Sequence, residues 1–167
     1  MMISANELSE IWQTKSASLA LLARSLGDDG EDSVQEAFLK LAIEQPKPND
    51  AVAWLFRVVR NQALTHRRSR KRRMERETKV VLAREIELGN SWFIRSPEID
   101  TQLDSQVATL ALSELSEQER EIVILHLWGD LAFRQIAEVL QMPAATVHRR
   151  YQEALEALRV RLRLEAR

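Results

Sequence analysis

The chain contains no cysteine, which excludes a disulfide framework, and its three histidines stand too far apart in sequence to make a zinc cluster. Glycine and proline are scarce, four of each in 167 residues. With so few breakers and so much Ala, Leu, Glu, Gln and Arg, helix is favoured nearly throughout. No alternating run of β-branched residues reads as a strand. No apolar run reaches membrane-spanning length, and the N-terminus lacks the basic-then-apolar layout of a secretion signal. A Gly-rich phosphate loop is missing, as is a Ser or Cys beside a His base. His66 and His126 have no carboxylate or metal partner visible in sequence and read as structural. The acidic turn Asp28, Asp29, Glu31 and Asp32 fails as a calcium loop, because an EF-hand starting at Asp28 or Asp29 would put Leu39 or Lys40 where the bidentate Glu must stand. The expectation is a soluble, cytoplasmic, all-α protein that is not an enzyme and holds no metal or cofactor.

What is present is segregated charge. The formal net charge is −1, but residues 1–56 carry 4 basic and 9 acidic side chains, residues 57–76 carry 9 and 1, residues 77–121 carry 4 and 10, and residues 122–167 carry 7 and 5. The basic block lacks the interspersed Glu that would form i,i+4 pairs, so it reads as an electrostatic footprint for phosphate rather than as a solvated face.

Helical periodicity places this block on a third helix. Leu8–Leu26 reads as the first, with Ile11, Leu19, Leu22 and Leu26 inward, and Gly27–Gly30 ends it. Asp32 or Ser33 is expected to cap a second helix that buries Val34, Ala37, Phe38 and Leu41. Gln45–Asp50, with two prolines, is a loop, and Asp50 caps the third helix. On that helix Arg57, Asn61, Arg68 and Arg72 fall within about 60° of Trp54 at 100° per residue, with Ala51, Leu55, Val58 and Gln62 on a neighbouring apolar face. An aromatic ring, an amide and guanidiniums on one stripe suit nucleic acid: stacking on an unpaired base, a base-edge hydrogen bond and phosphate contacts. The competing reading is a core Trp beside solvated arginines.

Periodicity loosens after Arg76, where Val80, Val81, Ile86 and Leu88 suit a short helix, and returns from Gln106. Ser116 and Glu119 form a capping box. Phe133–Leu140 is a short amphipathic helix, Gln141-Met142-Pro143 a tight turn, and the helix after it opens at Ala144. Val147, Tyr151, Ala154 and Leu158 share its apolar stripe, while Thr146, Arg149, Arg150 and Glu153 point away. This is either a major-groove reader or an ordinary helical hairpin. His148, near the start of the last helix, is a further candidate to touch DNA.

In three places the chain resembles the extracytoplasmic-function sigma factors of bacterial RNA polymerase, which hold only conserved regions 2 and 4. Residues 31–41, EDSVQEAFLKL, are similar to the family's helix that grips the polymerase β′ clamp helices. AWLFRVVRN at 53–61, followed by Arg67-Arg68, is similar to its promoter-melting helix. Leu115–Arg120 through Thr146–Arg150 is similar to its reader of the −35 element. The resemblance implies a promoter-specificity subunit of two small helical domains, residues 1–75 and 106–167, joined by a linker at 76–105. Asp32, Gln35, Glu36, Phe38 and Leu39 would contact core polymerase. Pro48, Asn49, Asp50, Trp54, Arg57 and Asn61 would capture an unpaired −10 base, with Arg60, Arg67 and Arg68 on phosphates. Thr146, His148, Arg149 and Arg150 would read the −35 element. The acidic linker would thread toward the RNA path, anchored by Trp92 and Phe93. Expected partners are core polymerase, through the β′ clamp helices and the β flap, and promoter DNA; an anti-sigma factor is a candidate third, and membrane insertion is not expected.

The chain departs from the family's pattern mostly in its second half. Gln141 stands where a turn Gly is common, Ala132 and Met142 where Ser caps are usual, and Glu153-Ala154-Leu155 where an Arg-Ala-Arg run often lies. These differences keep two other readings open: a sigma-like adaptor that has lost promoter reading, and a stand-alone helix-turn-helix regulator.

Overall fold

The computed structural model describes residues 3–77 and 110–165, and within them every regular element is a helix. The chain forms α1 (Ala5–Ser25), α2 (Glu31–Ile43), α3 (Ala51–Glu77), α4 (Glu117–Leu127), α5 (Phe133–Leu140) and α6 (Ala144–Glu165), with a further helical stretch at 110–113. The linker candidate beyond residue 77, with Val80, Val81, Ile86, Leu88, Trp92 and Phe93, lies outside the described residues.

Local chemistry explains the helix starts. Ser4 caps α1, its hydroxyl accepting from the Glu7 amide at 3.2 Å. Asp50 caps α3 as expected, Oδ1 accepting from the Ala53 amide at 2.9 Å. At α4 the capping box is complete: Ser116 Oγ accepts from the Glu119 amide at 3.4 Å, and Glu119 Oε2 accepts from the Ser116 amide at 2.9 Å. The cap of α2 differs from expectation. Gly30, at φ 94°, precedes the helix, and neither Asp32 nor Ser33 caps it. A left-handed residue there starts the helix at Glu31 and frees the buried Ser33 hydroxyl to donate to Asp28 instead.

The inward faces follow periodicity on α1, where Ile11, Leu19, Leu22 and Leu26 are buried, and on α2, where Val34, Ala37, Phe38 and Leu41 are. On α3 the core side is rotated from its expected place. Ala51 and Leu55 are buried, but Val58 and Gln62 are only half-buried, and the most enclosed residues are Leu55, Phe56, Val59 and Ala63. These lie roughly opposite the Trp54 stripe, because α3 packs on three sides: against α1, α2 and α5.

In the second half, α4, α5 and α6 enclose Ile122, Leu125, Ile136, Val139, Val147, Tyr151 and Ala154. The turn after α5 holds Gln141 at φ 54°, ψ 47°, the left-handed conformation that favours Gly. Ala132 precedes α5 without a side-chain acceptor, and the Gln135 Oε1 accepts from its amide at 2.7 Å, so half of a capping box survives. At α6 the Pro143 carbonyl takes the Thr146 and Val147 amides at 2.9 and 3.1 Å. Buried apolar side chains run through both halves, which pack on each other through α1 with α4 and α3 with α5.

Candidate nucleic-acid interface

Two cationic surfaces meet the description of the sequence candidates. The first lies along α3. Arg57, Asn61, Arg68 and Arg72 are exposed, and Trp54 is half-buried, with one edge packed on the core. Trp54 is therefore neither a fully enclosed core residue nor a fully exposed one. In the loop before the helix, Asn49 is exposed and Pro48 and Asp50 are half-buried.

Arg60 and Arg67 are not part of this stripe. They lie on another flank of α3 and reach the second half of the chain. Arg60 Nε donates to Glu121 Oε2, with Nη2 3.4 Å from Oε1, and Glu121 is only 1% exposed. About two turns further along, Arg67 donates to both Glu117 oxygens, 2.5 Å and 3.1 Å away. Asp50 is also engaged from the other half: the Gln135 amide donates to its Oδ2 at 2.6 Å. Burial pushes the Glu121 carboxyl above the usual carboxylate range against the pull of Arg60. Glu117 behaves oppositely, held below it mainly by the hydrogen bond from Arg67.

The second surface is the N-terminal part of α6. His148 and Arg149 are exposed, and Thr146 and Arg150 are half-buried. Arg149 pairs with Glu153 one turn on, at 3.0 Å, so Glu153 neutralises part of the charge this face presents. Arg150 donates to Gln118 and ties α6 to α4. His148 packs edge-on against Phe133, which stacks on His126, so an aromatic cluster fixes the start of α6. His126 Nδ1 is 2.8 Å from the Leu131 carbonyl, in keeping with a structural residue.

On α2, Asp32, Gln35, Glu36 and Leu39 are exposed, but Phe38 is buried edge-on against Trp12, with ring centroids 4.9 Å apart. Phe38 therefore supports this surface from beneath and does not present itself to a partner. Trp12 and Ile43, both exposed, join Leu39 in an apolar group that sequence reasoning missed. Exposure of an apolar residue on an otherwise amphipathic helix is the one signal that marked them.

Two further expectations need correction. His66 does have a carboxylate partner, with Nδ1 3.3 Å from Asp28 Oδ1, and a Ser does stand beside it, since Ser33 Oγ is 3.4 Å from the same nitrogen. The three are 38 and 5 residues apart in chain, so only the fold unites them. The arrangement lacks the order a nucleophile needs: Ser33 is fully buried and its hydroxyl donates to Asp28, not to the His. With Arg70 donating to the Gly27 carbonyl at 2.7 Å, the cluster fastens the α1–α2 turn to α3. Sequence reasoning also missed Arg120, whose guanidinium donates to the Leu112, Ser113 and Leu115 carbonyls at 3.0, 3.1 and 3.0 Å and closes the end of the preceding helical stretch. Among the described residues no group of acidic, His or Cys side chains is placed to hold a metal ion, and no helix is long and apolar enough to cross a membrane.

A helix-turn-helix half and a half built on a long basic helix define a two-part, all-α nucleic-acid-binding class, and comparison with known proteins makes the class specific. The family model for Sigma-70 region 2 matches residues 16–73, and that for Sigma-70 region 4 matches residues 105–158. The chain is 31% identical over 149 residues to the RNA polymerase sigma-H factor of Pseudomonas aeruginosa, covering 84% of this chain and 77% of that protein. It is also 31% identical over 146 residues to the ECF RNA polymerase sigma factor SigL of Mycobacterium tuberculosis, covering 83% and 78%. In fold it is similar to the sigma factor RpoE of Bartonella quintana, solved in complex with the anti-sigma factor NepR, with a TM-score of 0.70, 23% identity and coverage of 95% and 98%. The chain belongs to the extracytoplasmic-function sigma factors of bacterial RNA polymerase. It directs core polymerase to promoters and binds promoter DNA in transcription initiation.

Proposed function

We propose that this sigma factor opens its promoters with the exposed stripe of α3. Trp54 stacks on an unpaired −10 base, Asn61 takes a base edge, Arg57 and Arg68 hold phosphates, and Pro48 and Asn49 flank the captured base. The observation that carries this reading is the joint exposure of Arg57, Asn61, Arg68 and Arg72 beside a Trp that is only half-buried. Thr146, His148 and Arg149 of α6 read the −35 element, with Glu153 limiting the charge of Arg149, and Arg150 contributes through its hold on α4. The first half (1–75) and the second (106–167) act as two DNA-reading units joined by residues 76–105.

The exposed face of α2 and its neighbour Trp12 dock on core polymerase through Asp32, Gln35, Glu36, Leu39 and Ile43, with Phe38 as their support. The protein acts by binding alone, without catalysis of its own, in the cytoplasm where polymerase works. The anti-sigma complex of the similar RpoE supports an anti-sigma factor as a regulator of this chain as well.

Run-off transcription tests the reading. The chain and core polymerase are combined on fragments of the source genome, and Arg57→Ala and Asn61→Ala are compared with wild type. Each variant is expected to reduce promoter opening about tenfold, the worth of one base or phosphate contact, while binding core polymerase as tightly as wild type. Equal opening by variants and wild type would remove α3 from the −10 role.

A further inference from the structure

The loop assigned to base capture is fastened to a helix that takes no other part in promoter reading. Residues 44–50 join α2 to α3. Pro46 and Pro48 fix their own φ, and Pro48 also holds Lys47 extended, so the segment is stiff and moves as one piece. Its α3 end is fixed, because Asp50 caps the helix and Leu55, Phe56 and Val59 behind it are fully buried. The rest is held by Lys47, whose ammonium donates to both carboxylate oxygens of Glu7, at 2.5 and 2.7 Å. Among the described residues no other hydrogen bond or ion pair fastens residues 45–49.

Glu7 is a firm anchor. It lies in the first turn of α1, where Ser4 caps the helix, Ile3 is buried and Leu8 packs on the core. Lys47 adjoins Pro48 and Asn49, a place from which a free ammonium would follow phosphate, and the Glu7 carboxylate holds it instead. At 33% and 38% exposure the pair contributes little to stability. What it does fix is where the loop sits.

We propose that Glu7 and Lys47 are positioning residues for −10 recognition, their ion pair holding Pro48 and Asn49 at a set distance from Trp54. This rests on the promoter-reading assignment above. Trp54 and Asn61 stand on α3, which the core holds; Pro48 and Asn49 stand on the loop, which the pair holds. A loop already in place takes up an unpaired base without first being ordered, and it rejects a base of the wrong shape. Without the pair the base itself must order the loop, so affinity and discrimination fall together.

The test uses the full chain with core polymerase on a genomic promoter fragment that this holoenzyme opens, and on copies carrying each base in turn at every −10 position. Glu7→Gln keeps the shape and removes the charge. It is expected to open the native fragment about fivefold less, the cost of ordering a short loop segment on binding. Preference among the four bases at the captured position should shrink with it, a readout that a merely structural pair would leave unmoved. Core binding should match wild type, and the urea midpoint should move little. Glu7→Lys with Lys47→Glu reverses the pair and should restore opening and preference, whereas Glu7→Lys alone should lower both. Equal opening and preference for Glu7→Gln and wild type overturn the proposal. So does a reversed pair no better than Lys47→Glu alone, which would make Lys47 a phosphate contact in its own right. Arg57→Ala and Asn61→Ala, measured beside these, separate the two claims. If they reduce opening and Glu7→Gln does not, the loop anchor fails alone. If only Glu7→Gln reduces it, the α3 assignment fails and the anchor stands.

Discussion

Arg60→Ala should cost far more stability than Arg67→Ala, although each removes one arginine–glutamate pair between the same helices. The difference lies in what is left behind. Glu121 is 1% exposed, and Arg60, at 19%, is its ion-pair partner. Removing one partner of a buried pair typically costs 3–5 kcal/mol because a charge stays stranded in low dielectric; with a fifth of Arg60 in water, we expect about 3 kcal/mol. Glu117 and Arg67 are each more than 40% exposed, so water replaces the lost bond, and the cost is about 0.5 kcal/mol. With a urea slope of about 2 kcal/mol/M, the midpoints should fall by about 1.5 M and about 0.3 M respectively. The Arg60→Ala deficit should also depend on pH. Burial already pushes the Glu121 carboxyl upward, and loss of Arg60 removes the main opposing pull. A carboxyl whose pKa is higher folded than unfolded favours the folded state when protonated, and that advantage is lost as pH rises from the ordinary carboxylate range through the raised value. The deficit is therefore largest at neutral pH and shrinks on acidification toward that range. Urea titrations of both variants across this window check the argument. Equal midpoint shifts, or a deficit that grows on acidification, would refute it.

Other outcomes follow from the same geometry. Leu39 and Ile43 are 69% and 73% exposed, so Leu39→Glu should leave the urea midpoint unchanged and weaken binding to core polymerase at least tenfold, about 1.4 kcal/mol; pull-down titration with unaltered stability reads both. Ala132→Ser supplies the missing acceptor at the start of α5 and should add about 1 kcal/mol, seen as a raised thermal midpoint. Ile136→Ala empties a fully buried site beneath the helix-turn-helix and should cost about 3 kcal/mol in the same measurement.

Much of this architecture was legible because it is written at helical spacing. Ile11, Leu19, Leu22 and Leu26, the Ser116–Glu119 box, the Asp50 cap and the apolar stripe of α6 all depend on neighbours within a few turns. The turn at Gln141 was legible only through the family resemblance, which puts a Gly there; the left-handed conformation is kept although Gln supplies it. Arg60 and Arg67 show where such reading stops. Their partners lie 61 and 50 residues away, and nothing in periodicity says whether an arginine on a flank faces phosphate or a glutamate of another helix. The core side of α3 was misplaced for the same cause. Its apolar residues span a wide arc, and only packing against three other helices selects Phe56, Val59 and Ala63 as its centre. Phe38 was legible as core by its periodicity, but its edge-on contact with Trp12, 26 residues earlier on another helix, was not. The Ser33–Asp28–His66 cluster was hidden because a glycine turn, not a side chain, begins α2.

The most direct test of the central claim is permanganate reactivity of thymines around the −10 element in a mixture of core polymerase, promoter fragment and this chain. Reactive, unpaired thymines that require both proteins and fade with Arg57→Ala are the predicted result. Thymines equally reactive with the variant, or unreactive in a complex that holds both proteins on the promoter, would contradict it.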